Sequence, residues 1–220
     1  AKHAVAFDLS AACSGFLFAL STAQAYIKGG IYQKALIIGA ETMSKMIDWS
    51  DRSTCVLFGD GAGAAVVSAE ETGVLELVQK SDGTGKGVLS CKARETRNLL
   101  NHESETKEYL YMEGQPVFKF AVKTVPECVE EVLKKAEVKK EEIRYYILHQ
   151  ANSRIIQSVA KRLKEPEEKF PMNLSLYGNT SAASIPILLD EMNRNGMLNQ
   201  GDKLVLSGFG AGLTWGAVLL

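Results

Sequence analysis

In "SGFLFALSTAQAYIKGG" the apolar residues Phe16, Leu17, Leu20, Ala23 and Ile27 recur at the spacing of one helix face, and a Gly29-Gly30 step ends the pattern. Just before it, Ala4 to Leu9 is a short apolar run that reads as a strand, so the chain opens as strand, turn, helix. The continuous apolar run "KALIIGAE", Lys34 to Glu41, predicts a strand buried on both faces. "GDGAGAAVVSAEE" and "GVLELVQKSDG" predict two further strands, with Glu70 to Gly73 as the turn between them. Residues 81 to 111 are polar and aperiodic until "KEYLYM", the pattern of a long surface loop that could hold a hairpin. From Pro116 to Glu137, residues Val117, Phe120, Ala121, Val125, Val129, Val132 and Leu133 mark a second amphipathic helix, which Pro126 should kink or interrupt in its early turns. "YYILHQ" then reads as a buried strand and "NSRIIQSVAKRLKE" as a helix. "GNTSAASIPILLDEMNRNG" reads as another helix stopped at Gly196, and "DKLVLSGFGAGLTWGAVLL" as two strands around a glycine-rich turn.

This order is that of an α/β protein whose two unequal pieces meet near Glu70 to Gly73. Both pieces close on a pair of strands with a glycine-rich turn, which hints at an internal duplication with the first copy incomplete. The strand before Cys13 begins almost at residue 1, so the chain is expected to start in the middle of a domain.

Composition narrows the classes. The 220 residues are 46% hydrophobic, enough for a sizeable core. The 25 basic and 26 acidic residues nearly cancel, so no global field suggests a nucleic-acid or membrane partner, and a charged partner must be met by a local patch. Cys13, Cys55, Cys91 and Cys128 lie far apart with no C-x-x-C pair, which argues against a metal or redox motif and for free thiols in a reducing compartment. No apolar run reaches the roughly 20 residues that span a bilayer, and the amino-terminal residues lack a signal-peptide pattern.

Three residues could carry chemistry. Cys13, in "DLSAACSGFLFAL", stands at the start of a helix, where unpaired N–H groups could lower a thiol's pKa from about 8.5 toward neutrality. The same pattern also suits a small packed core residue. His149 follows a strand and precedes a helix, at the edge where open α/β sheets place ligands, although a structural histidine fits there too. Asn179, after Gly178 and before a helix, is either a polar site residue or a plain N-cap. Together they supply a nucleophile, a proton-handling donor and a neutral donor, a set suited to acyl-thioester chemistry.

"AACSGF", "GDGAGAAV", "HQANSRI", "GNTSAASIP" and "GFGAGLTWGAVL", in this order and spacing, resemble the β-ketoacyl-acyl carrier protein synthase III family of the thiolase superfamily. "GDGAGAA" alone could be misread as a dinucleotide fingerprint, but a strand-like "AAVVSA" follows it instead of a helix. The resemblance implies a thiolase-like fold, layered α-β-α-β-α with the first half incomplete. Residues 1–70 would end the N-terminal half and carry the nucleophile, and residues 71–220 would form the complete C-terminal half with His and Asn. It implies decarboxylative Claisen condensation of a short acyl-CoA primer with malonyl-acyl carrier protein. Cys13 would be the acyl acceptor, His149 and Asn179 would serve the condensation, and the backbone N–H groups of Cys13 and Ala211 would form an oxyanion hole. Arg52, Met112, Gln115, Phe118 and Ala151 would contact acyl-CoA, with Gln115 standing where many members have asparagine. Gln150, Ala151, Asn152, Ser153 and Arg154 would meet an acidic acyl carrier protein, with Lys161, Arg162 and Lys164 on the same helix. The family further implies a cytoplasmic homodimer with acyl-CoA as substrate, and no metal, permanently bound cofactor, nucleic acid or membrane.

Alternatives remain: a polyketide or chalcone-synthase-like condensing enzyme, and a non-catalytic partner related only in fold. An intact Cys13, His149 and Asn179 argues against the partner. A biosynthetic thiolase would be expected to place a second cysteine in the turn that here reads "GFGAGLT".

Overall fold

Small residues around Cys13 let the backbone turn tightly into the first helix. The computed structural model describes residues 2–70, 73–91 and 109–220. Helix α1, Gly15–Lys28, buries Phe16, Leu17, Leu20 and Ala23, and it ends where Gly29 N–H bonds the Ala25 carbonyl at 2.9 Å and Gly30 adopts a φ of 71°. The preceding Ala4 to Leu9 forms no strand: it pairs with no ladder among the described residues, and Val5 and Phe7 are exposed. An apolar run becomes a strand only when a neighbour accepts its hydrogen bonds.

Strands β1 (Lys34–Thr42) and β2 (Asp60–Ser68) form an antiparallel ribbon, Lys34 opposite Ser68 and Thr42 opposite Asp60. β1 is buried on one face, not on both as its apolar run suggested. Ile37 packs into the core, while Leu36 and Ile38 are 62% and 59% exposed. Gly39 lies so close to the Ala182 backbone that a Cβ there would come within 2.6 Å of its carbonyl oxygen.

β3 (Glu76–Ser81) follows, and the expected turn before it includes Glu71 and Thr72, outside the described residues. Most of the loop expected over 81–111 falls in 92–108, also outside them. Its flanks pair as antiparallel β4 (Leu89–Cys91) and β5 (Leu110–Met112). Helix α2, Gly114–Lys135, runs through Pro126 without interruption. Proline has no N–H to offer the carbonyl of Val122, one turn back, and Arg162 of the helix alongside donates to that carbonyl at 3.2 Å. Arg162 also pairs with Glu127 at 3.2 Å, so it is a brace of the α2 packing rather than a free docking charge.

The remaining elements follow the hydrophobic pattern: β6 (Ile143–Leu148), α3 (Ser153–Leu163) capped by Asn152 Oδ1 on Arg154 N–H, a short α4 (Leu174–Tyr177) that the pattern did not foretell, α5 (Ser184–Arg194), β7 (Lys203–Gly210) and β8 (Thr214–Leu219). Gly196 follows α5 with a φ of 68°, as expected of its stop. The strands β3-β8-β7-β6 form one sheet in which only β6 and β7 are parallel. α1 and α5 lie between this sheet and the β1-β2 ribbon, joined by a core of Phe16, Leu17, Ile37, Ile147, Ile185 and Val218. α2 and α3 cover the opposite face through Val125, Val129, Val132, Ile156 and Val159. The layers therefore run β, α, β, α. Among the described residues no helix is long and apolar enough to cross a membrane.

Candidate active site

The central helices α1 and α5 both start at the edge where β6 and β7 end, so four chain turns converge there. A cavity of about 1460 Å³ opens at this edge and is lined by Cys13, His149 and Asn179 together. The three residues, the first 136 positions before the second, thus line one cavity.

Cys13 sits in a short 3₁₀ turn, Ala12–Ser14, entered through Ala12 at a φ of 47°. The turn is clamped at one carbonyl. Ala11 O accepts from Ser14 Oγ at 2.8 Å and from Thr214 Oγ1 at 3.1 Å, and the two hydroxyls lie 2.6 Å apart. Gly210 closes β7 directly beneath: a Cβ there would stand 2.6 Å from the Cys13 backbone nitrogen. Among the described residues neither the N–H of Cys13 nor that of Ala211 donates to another backbone group in these turns. Gly210→Ala is expected to displace the Cys13 backbone, slowing reaction of the thiol with an electrophilic probe on the order of 10²-fold and lowering stability by about 1–3 kcal/mol. Thiol-labelling kinetics and denaturant midpoints of the variant check both numbers.

Burial pushes the Cys13 thiol up to about 11, and the nearby Glu41 carboxylate adds to the rise against a lowering contact from Ser181. This direction is opposite to the lowering expected of a helix start, and loss of water is its largest cause. The resting group is a thiol. Glu41 itself accepts a hydrogen bond from Ser181 Oγ at 3.2 Å.

His149 follows β6 and its N–H bonds Ser207 O of β7 at 2.8 Å. Its ring is 2% exposed, stands edge-on to Phe209 at 5.6 Å between centroids, and places Nδ1 2.7 Å from Ser184 Oγ. Burial lowers its pKa from 6.5 to about 3, so the ring is neutral at physiological pH. The unfolded chain binds a proton below about 6.5 that the folded one refuses, so this histidine's contribution is intact above 6.5 and is lost as pH falls toward 3. The difference in unfolding free energy between the protein and His149→Gln should therefore shift by up to about 1.4 kcal/mol per pH unit between pH 6.5 and 5. Urea titrations across that window measure it; a pH-independent difference would refute the buried neutral ring.

Asn179 is held by its backbone. Its N–H bonds Leu57 O at 2.8 Å, its carbonyl accepts from Gly59 N–H at 3.0 Å, and Gly178 before it takes a φ of 66°. Its side-chain Oδ1 accepts from Ser181 N–H at 2.8 Å, as an N-cap would, and the residue still faces the cavity.

Met112, Phe118, Ala151, Asn152 and Ala211 also line the cavity. Arg52, Gln115 and Arg154 are exposed and lie outside its lining, as does Ser153. Gln150 is a correction: it is 1% exposed, donating Nε2 to Leu148 O at 2.7 Å and accepting from Asn173 N–H at 3.1 Å. Its side chain is committed to the interior and cannot meet a docking protein. Ser14, Glu41, Ser184 and Thr214 escaped the sequence reading, since their partners are distant in sequence; the serine inside "GNTSAASIP" reads only as part of a helix start. Cys13, Cys55 and Cys128 are free thiols.

Two family models match the chain: 3-oxoacyl-[acyl-carrier-protein (ACP)] synthase III over residues 7–83, and the C-terminal model of the same name over 133–220. The chain is 53% identical over 222 residues to the beta-ketoacyl-[acyl-carrier-protein] synthase III of Clostridium novyi (strain NT), covering all of this chain and 68% of that protein. The crystal structure of 3-oxoacyl-[acyl-carrier-protein] synthase III from Aquifex aeolicus VF5 superposes with a TM-score of 0.90 at 46% identity, over 99% of this chain and 67% of that one. The priming β-ketosynthase of the R1128 polyketide pathway is more distant, at 38% identity and a TM-score of 0.85, covering 97% and 65%.

Proposed function

This chain belongs to the β-ketoacyl-[acyl-carrier-protein] synthase III family, acyltransferases whose condensation initiates fatty-acid synthesis, and from that premise we propose how its own residues carry the reaction. Cys13 accepts the acyl group of a short acyl-CoA, and His149 with Asn179 then stabilises the enolate formed from malonyl thioester on an acidic acyl carrier protein. The observation that carries this reading is the single cavity onto which Cys13, His149 and Asn179 all open.

In the first half-reaction the Cys13 sulfur attacks the thioester carbonyl, and the thiol's proton leaves with the departing CoA thiol. The oxyanion formed meanwhile needs donors close by, and the backbone N–H groups of Cys13 and Ala211, neither of which donates to another backbone group among the described residues, serve as that pair in this reading. In the second, the enolate carbon formed when malonyl thioester loses carbon dioxide attacks the acyl-cysteine carbonyl, and the C–S bond to Cys13 breaks as the sulfur leaves and regains a proton. Before that attack, negative charge gathers on the enolate's thioester oxygen. A neutral imidazole and a carboxamide stabilise it without forming the permanent ion pair that would trap it.

Residues 1–70 bring the nucleophile to this site and residues 71–220 bring His149 and Asn179. Met112, Phe118 and Ala151 line the path for the acyl and pantetheine chain. Arg154 and Lys161, both exposed on α3, form the basic edge suited to an acidic carrier protein, while Arg52 and Gln115 offer polar groups to CoA outside the cavity. We read the working form as a cytoplasmic homodimer without a resident cofactor. Radiolabelled acetyl-CoA tests the assignment. Stoichiometric label is expected on Cys13 and none on Cys55, Cys91 or Cys128; an unlabelled Cys13 overturns it.

A further inference from the structure

We propose that Ser184 is a positioning residue which fixes the tautomer of His149, so that the wall formed by His149 and Asn179 offers the reacting thioester only hydrogen-bond donors. The proposal rests on the reading above, in which these two side chains stabilise the enolate, and adds the group that makes the histidine fit for it.

Ser184, the first residue of α5, is 2% exposed, and its Oγ has two neighbours among the described residues: His149 Nδ1 at 2.7 Å and the backbone N–H of Gln150 at 3.3 Å. A hydroxyl has one proton to donate and two lone pairs to accept with. The Gln150 N–H can only donate, so it occupies one lone pair. If Nδ1 carried the ring proton it would occupy the other, and the serine O–H would be buried with no acceptor, at a cost of about 1–3 kcal/mol. If Nδ1 is the bare nitrogen, the serine proton goes to it and all three groups are satisfied. The ring proton then sits on Nε2, and the ring belongs to a residue that lines the cavity.

Asn179 is treated the same way by different means. Its one acceptor atom, Oδ1, is taken by Ser181 N–H at 2.8 Å, which leaves the Nδ2 donors. Both residues therefore have their acceptors engaged by one short segment, Ser181 to Ser184, the turn that leads into α5, and keep their donors. An acceptor turned toward the forming enolate oxygen would repel it, so this arrangement separates a site that stabilises the charge from one that opposes it.

The test uses the intact protein with Ser184→Thr and Ser184→Val, which have nearly the same shape and differ in the hydroxyl. Acylation of Cys13 by acetyl-CoA and condensation of the acylated protein with malonyl thioester are followed separately. The imidazole ¹⁵N spectrum of His149 is recorded in a background with His3 and His102 changed to Gln. Ser184→Val is expected to slow condensation about 10- to 100-fold, the usual effect of losing an orienting partner. Acylation stays near the unsubstituted rate, and the ¹⁵N signals move away from a single Nε2–H form. Ser184→Thr should keep both the rate and the spectrum. Equal losses in the two variants, or an unchanged tautomer in Ser184→Val, overturn the proposal. His149→Ala is run in parallel: if it condenses normally, the role of His149 itself falls, whereas if it fails while Ser184→Val does not, only the role of Ser184 falls.

Discussion

Cys13→Ala is expected to remove covalent labelling by acyl-CoA altogether and to reduce overall condensation on the order of 10⁶-fold, as losses of a catalytic nucleophile do elsewhere. The same variant should still decarboxylate malonyl thioester, because in the proposed mechanism that step depends on His149 and Asn179, whose supports do not pass through the thiol. His149 is held by Ser207 O and Ser184 Oγ, and Asn179 by Leu57, Gly59 and Ser181. Release of carbon dioxide from labelled malonyl thioester is the measurement. Loss of both half-reactions in a folded Cys13→Ala protein would mean that the thiol does more than accept the acyl group. Retained labelling would place the acyl group elsewhere. In the proposed mechanism the thiol, raised by burial to about 11, gives up its proton as the carbonyl is attacked, so donors at the oxyanion rather than a preformed thiolate carry the first step.

Asn179→Ala should slow decarboxylation and condensation about 10²- to 10³-fold while acylating Cys13 far closer to normally. One preorganised donor is removed from a place where charge develops in only one of the half-reactions. Asn179→Asp supplies the control for structure. It keeps an oxygen for Ser181 N–H, which holds the turn, and replaces the amide donor with a negative charge beside the forming enolate. Condensation should fall at least as far in this variant, with the protein folded. Single-turnover measurements of the two half-reactions decide it; equal losses in both would show that Asn179 shapes the cavity rather than stabilising the enolate.

Much of this site could be read without coordinates, for a local reason. Cys13, His149 and Asn179 each stand in a small-residue turn that opens a helix, and such turns are short-range features set by steric permission: alanine and glycine before a periodic apolar face. Gly30 and Gly196 as helix stops, and the closing strand pair through residues 203–219, are legible on the same grounds. The errors have a common cause as well. Ala4 to Leu9 has the apolar content of a strand, but a strand is completed by a partner. The apolar run of β1 says that something must be buried, not which face. Pro126 threatens α2 only until Arg162 meets the Val122 carbonyl, 40 positions before it, that proline leaves unpaired.

The sequence by itself determined the fold class, the family and the three residues on which the proposed chemistry turns, because periodicity and turn composition are properties of neighbouring positions. Tertiary structure alone decided their chemical state. Cys13 is a buried thiol beside Glu41, Gln150 is sealed inside, and Nδ1 of His149 lies 2.7 Å from the hydroxyl of a serine 35 residues further along the chain. Desolvation and hydrogen bonding act through space, between groups whose separation along the chain carries no trace of their contact.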